Sequence, residues 1–123
     1  MADGPSRPEE LRDRTKKFAL RIIRLFRSLP KGTDAQVIGK QLLRCGTSVG
    51  ANYRAVCRSR SKAEFVARMG VVAEEADESI FWLELLEESS VIPASRLSEL
   101  LKEAWELTAI STKSLVTAKE PRQ

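Results

Sequence analysis

Histidine is absent from the 123 residues of this chain. Its absence excludes imidazole acid–base catalysis, Ser-His and Cys-His nucleophile pairs, and the Glu-x-x-His ligand motif of di-iron helical bundles. Cysteine is scarce. Cys45 and Cys57 fall on one expected helix, about 18 Å apart, beyond the reach of a disulfide. Two distant thiols also make a poor zinc site. A reduced, cytoplasmic protein is the expectation. No apolar run approaches the roughly 18 residues of a membrane span, and the N-terminus MADGPSRPEE lacks the apolar centre of a signal peptide. Aromatic residues are 6% of the chain, and Tyr53 alone falls among its basic residues. A platform for stacking single-stranded bases is therefore not indicated. No segment alternates apolar and polar residues with the period of a strand.

Helical periodicity takes the place of all these. Leu11, Phe18, Ile22, Leu25, Phe26 and Leu29 form the first apolar stripe, on a helix expected from Glu9 to Leu29. Pro30 and Gly32 end it. Thr33 to Gln36 matches a capping box and opens a second helix, with Ile38, Leu42, Cys45, Val49, Tyr53 and Val56 inward, to about Arg58. Ser61 to Glu64 is a second capping box. The third helix follows to Glu88, with Phe65, Met69, Val72, Ala76, Ile80, Leu83 and Leu86 inward. Either Trp82 or Leu85 is then left pointing out of the core. Pro93 is placed near the start of a fourth helix, which ends near Lys119, with Ser111 and Trp105 at its surface or core edge. The fold class is all-α, an antiparallel up-down-up-down four-helix bundle over residues 9–119. Disordered tails are expected at 1–8 and 120–123.

Charge is divided along the chain. Residues 1–62 hold 15 Lys and Arg against 5 Asp and Glu, a balance of +10, whereas residues 63–123 hold 6 against 12, a balance of −6. The first helix presents Arg14, Lys17, Arg21 and Arg24 at helical spacing, and the second adds Arg44, Arg54 and Arg58, followed by Arg60 and Lys62 in the turn. Such a footprint fits nucleic-acid binding, where contacts to backbone phosphates dominate affinity. The bland alternative is a solvated face, or a scaffold in which the basic half of one subunit meets the acidic half of the next.

The second helix carries Gly46 and Gly50 where a plain core helix has Leu or Ala, and glycine there costs about 1 kcal/mol. The pair implies close helix packing. Ser48 and Asn52 share one face, with Asn52 as a buried amide fixing packing register. A phosphate-cradling loop is not indicated, since no strand precedes the glycines and no Gly-Lys-Ser/Thr follows. Glu74, Glu75, Asp77 and Glu78 with Glu103 and Glu106 match in outline the acidic pattern of all-helical, magnesium-dependent nucleotide pyrophosphohydrolases. That third reading requires Glu75, Glu78 and Glu103 to converge on one pocket.

Taken together, Gln41-Leu42-x-Arg44-x-x-Thr47-Ser48-Val49-x-Ala51-Asn52, the Lys62-x-x-Phe65 step, and Glu75-x-x-Glu78 with Trp82-Leu83 resemble the four-helix-bundle proteins encoded within intervening sequences of 23S ribosomal RNA. The resemblance covers roughly residues 14–118. It departs from the usual Ser-Ile-x-x-Asn-Ile-Ala-Glu-Gly pattern by lacking the Glu-Gly step. It implies a cytoplasmic bacterial four-helix bundle, typically assembled as a homopentamer; no catalytic residue, metal or cofactor is expected. It also implies a relation to the accessory variability proteins (Avd) of diversity-generating retroelements, which associate with a reverse transcriptase and with RNA or DNA.

Overall fold

The computed structural model describes residues 6–121. Four helices follow one another: α1 (Arg7–Arg27), α2 (Thr33–Val56), α3 (Lys62–Glu88) and α4 (Ser98–Lys119), the last preceded by a short 3-10 turn at Ala94–Arg96. The described residues contain no strand. The connections at 28–32 and 57–61 leave room only for antiparallel neighbours. Each helix packs along the one before it, while α1 and α4 meet over a much shorter stretch. The bundle is thus closed on three sides and thinly closed on the fourth. Of the two expected tails, residues 1–5 and 122–123 lie outside the described residues. No described helix is long and apolar enough to cross a membrane.

Helix boundaries follow local capping chemistry. Arg7 and Pro8 belong to α1, not to a tail. The Ser6 hydroxyl accepts the Glu9 N–H at 3.3 Å, and proline in the first turn forfeits no helical hydrogen bond. Ser61 caps α3 by accepting the Glu64 N–H at 3.1 Å. The capping box expected at Thr33 does not form. Gly32 occupies the cap, so Thr33 is already helical, and Asp34 accepts the Ala35 N–H instead. Gln36 reaches back to the Pro30 carbonyl at 3.0 Å. Pro93 precedes the 3-10 turn, and α4 begins only at Ser98.

The core is the apolar stripes brought face to face, with Phe18, Ile22, Leu42, Leu83, Leu86, Leu97 and Leu107 fully buried. Three hydroxyls are buried with them: Thr15, Ser79 and, against the surface position expected of it, Ser111. Each donates to the carbonyl four residues earlier, at 2.7, 2.8 and 2.7 Å, which removes the cost of an unpaired polar group. Ser79 Oγ also lies 3.3 Å from Cys45 Sγ, joining α3 to α2 inside the core.

Gly39, Gly46 and Gly50 form the surface of α2 that faces α1. A Cβ at Gly46 would lie 2.8 Å from Ile22 Cγ1, and one at Gly50 would lie 3.2 Å from the Thr15 carbonyl oxygen. Ser48 and Asn52 occupy the other edge of α2 and do not cross to a neighbour. Ser48 Oγ donates to the Arg44 carbonyl at 2.7 Å, and Asn52 Nδ2 donates to the Ser48 carbonyl at 2.8 Å. Half-buried at a helix edge, both find their own backbone first, and the amide expected to fix register is satisfied within α2.

Candidate nucleic-acid interface

The nine candidate cations fall into two groups once folded. Arg14, Lys17 and Arg44 are neutralised within the protomer. Arg14 spans the thin seam between α1 and α4, donating through Nε and Nη2 to both Glu103 oxygens at 2.7 Å and through Nη2 to Glu106 at 2.7 Å. These hydrogen bonds, Glu103 first, hold its guanidinium protonated well above its ordinary range. Arg44 bridges α2 to α3, pairing with Glu75 at 3.5 Å and more closely with Glu78, which also accepts the Trp82 indole N–H at 2.9 Å. Burial pushes the Glu75 carboxyl upward even so, with Arg44 opposing. Lys17 pairs with Asp13 at 2.8 Å along its own helix.

The same pairs decide the acidic pattern. Glu103 and Glu106 attend Arg14 on the α1 side of α4, while Glu75 and Glu78 attend Arg44 on the α2 side of α3. The carboxylates are divided between two arginines, and no group of three metal-ligating side chains comes together among the described residues. The convergence that the pyrophosphohydrolase reading requires is not there. Cys45 offers no nucleophile either, since it is buried and burial raises its thiol.

The charged groups of Arg21, Arg24, Arg54, Arg58, Arg60 and Lys62 have no carboxylate within 4.0 Å among the described residues, although the Arg60 backbone N–H donates to Glu64 at 3.4 Å. All are exposed except Arg21, which is half-buried. Arg54 stands at the rim of an open groove of about 450 Å³ between α1 and α2, opposite Arg12, Lys16 and one carboxylate, Asp13. Its floor is Ala19, Gly50 and Ala51, small because the two helices approach so closely there. Arg58 and Arg60 follow at the α2–α3 turn, beside Arg68, whose guanidinium is held by the Ala55 carbonyl at 2.9 Å and Glu64 at 3.3 Å. Arg21 and Arg24 lie elsewhere, in the groove between α1 and the start of α4, with Arg96. Arg12, Lys16 and Arg96 were not among the candidates. Arg12 and Lys16 fall on the α2-facing side of α1, off its Arg14–Arg24 stripe, and Arg96 is an isolated cation in the acidic half.

Tyr53 anchors the lower end of this face. It is buried beneath the last turn of α2, and burial, with the neighbouring Cys57 thiol adding to it, pushes its phenol up to about 12 although Arg12 and Arg7 pull the other way. A raised pKa in the folded state means that folding favours the protonated phenol. Its contribution to stability is complete below pH 10 and is lost as pH rises from 10 to about 12. Tyr53 is the one tyrosine of the chain, so phenolate absorbance reads it alone. A titration midpoint near 12 is expected, and a midpoint near 10 would mean that the ring is solvated.

The sequence profile of the 23S rRNA-intervening sequence protein family matches residues 9–113. The chain belongs to this family. Among solved structures it is similar to a protein of unknown function from the S23 ribosomal protein family of Bacteroides thetaiotaomicron. The TM-score is 0.79 at 30% identity, over 85% of this chain and 97% of that one. No curated protein matches. The family match and the shared four-helix fold make this an intervening-sequence-family four-helix protein, and neither match is described as an enzyme.

Proposed function

We propose that this intervening-sequence-family protein is a non-enzymatic, homo-oligomeric binder of RNA or DNA that grips the phosphate backbone. The observation that carries the reading is the partition of its cations. Internal pairing absorbs Arg14, Lys17 and Arg44, yet the charged groups of Arg54, Arg58, Arg60 and Lys62 remain exposed without carboxylate partners, Arg54 on the groove that Arg12 and Lys16 also line and the others at the α2–α3 turn. Unneutralised cations on a rigid helical face release condensed counterions when they meet phosphates, and that release drives binding with little regard to sequence.

Assembly is part of the proposal. Phe81 on α3 is 51% exposed and Trp105 on α4 is 55% exposed, on the helix pair away from the basic face. Phe81 is the outward aromatic, not Trp82 or Leu85, which are half-buried. Its ring meets Trp82 edge-on at 4.9 Å. Apolar surface of this kind suits subunit contact, pentameric on the family resemblance, and a ring multiplies weak phosphate contacts into avidity. Pairing of basic with acidic halves inside one protomer leaves the scaffold alternative fewer charges to work with.

The test is a salt titration of binding to duplex DNA and to RNA, measured by fluorescence anisotropy. With Arg12, Lys16, Arg54, Arg58, Arg60 and Lys62 engaged per protomer, log Kobs should fall against log salt with a slope of about −5 on duplex DNA. Absence of binding at low salt, or binding indifferent to salt, would overturn the reading.

A further inference from the structure

A second basic groove lies apart from the α1–α2 face. It is a pocket of about 270 Å³ between the last turns of α1 and the start of α4. Three guanidiniums line it, Arg21 and Arg24 from α1 and Arg96 from the 3-10 turn, against a single carboxylate, Glu99. Glu99 lies within ion-pair distance of none of them. The formal charge inside the groove is therefore +2, and nothing described in the protein neutralises it. Like charges gathered around one small volume repel, and an anion between them relieves that repulsion.

Local structure sets the arginines in place. Ser28 Oγ donates to the Leu25 carbonyl at 2.8 Å and accepts from Arg96 Nη2 at 2.9 Å. Arg96 is thereby oriented with the rest of its five N–H donors free. The Ser28 and Leu29 N–H groups occupy the Leu25 and Phe26 carbonyls, which would otherwise repel an anion at this end of α1. The positive end of the α4 dipole lies at the same place, since α4 begins at Ser98, and it offsets the negative end of the α1 dipole at Arg27. Buried Leu25 and Leu100 line its base.

We infer that the α1–α4 groove is a discrete site for a terminal phosphate, the dianionic monoester group, held by Arg21, Arg24 and Arg96. A charge of +2 matches a monoester dianion and exceeds the single charge of an internal phosphodiester. Arginine suits the role because its planar fork matches phosphate oxygens two at a time. Ser28 is a positioning residue that acts through Arg96. Such a site takes free phosphate, or the 5′-phosphate end of a nucleic-acid strand.

Isothermal titration with inorganic phosphate, and with one oligonucleotide prepared as 5′-phosphate and as 5′-hydroxyl, tests this on the full chain. Inorganic phosphate should bind the wild type, and Arg96→Ala should weaken it about tenfold or more. Arg96 is exposed, so this variant should fold, and an unchanged thermal melt checks that it does. Glu99→Gln should tighten phosphate binding severalfold by removing the one opposing charge. A preference for the 5′-phosphate strand that survives Arg54→Glu with Arg58→Glu identifies strand ends as the source. Phosphate binding with no such preference identifies the free ion. No heat with phosphate and equal affinity for the two strands overturns the site, and does so whether or not the α1–α2 face binds nucleic acid.

Discussion

Gly46→Val is expected to destabilise the bundle by about 2–3 kcal/mol, the upper part of the range for overpacking a close-packed interior. The added Cβ would stand 2.8 Å from Ile22 Cγ1, 3.1 Å from Cγ2 and 3.3 Å from Cβ. Ile22 cannot step aside, because it is fully buried and β-branched, with one strongly preferred χ1 in a helix. The strain must push α1 away from α2, and it would open the core along Phe18 and Leu42. Gly70 in α3 is the internal contrast. Nothing lies within 4 Å of a Cβ built there, so Gly70→Ala should stabilise by about 0.5–1 kcal/mol through helix propensity alone. Urea denaturation of both variants separates packing from propensity. If Gly46→Val proves neutral, the close approach of α1 to α2 is not what holds this seam.

The comparison of these two glycines shows how much of the fold was legible in the sequence. The four helices were, because Phe18, Ile22, Leu42, Val49, Met69, Leu83 and Leu107 repeat with a single period and one face of each helix has to leave water. The tight seam was legible at Gly46 and Gly50. Gly39, seven residues before Gly46 and therefore on the same face, belongs to the seam too and went unread. Buried hydroxyls were not legible as core. Thr15 fills the gap between Leu11 and Phe18, but only the structure shows that its Oγ is satisfied by the Leu11 carbonyl. Charge was the least legible. Helical spacing places Arg14, Lys17, Arg21 and Arg24 along one edge of α1, yet it cannot say which carboxylates another helix brings opposite. Glu103 and Glu106 arrive from the far end of the chain to take Arg14. Arg96 arrives from the acidic half to join Arg21 and Arg24. Pairing across helices is a property of the packed bundle, and the local pattern holds no record of it.

That partition makes the candidate interface testable by contrast within one basic set. Reversing Arg54 and Arg58 to Glu should weaken binding of duplex DNA by roughly a hundredfold at about 0.1 M salt, since each lost phosphate contact is worth about tenfold there. The slope of log Kobs against log salt should become shallower by about 2. Arg14→Ala should leave both readouts almost unchanged. Its guanidinium already belongs to Glu103 and Glu106, so affinity and slope should hardly change. Stability should fall by about 1–2 kcal/mol, discounted for partial solvation, because Glu103, only 17% exposed, loses its partner at the thin α1–α4 seam. Arg44→Ala should behave in the same way through Glu75 and Glu78. Should Arg14→Ala reduce nucleic-acid binding as strongly as the Arg54 and Arg58 reversal, with no loss of stability, the ion pairs must open on binding, and the basic stripe of α1 would then be engaged as a whole.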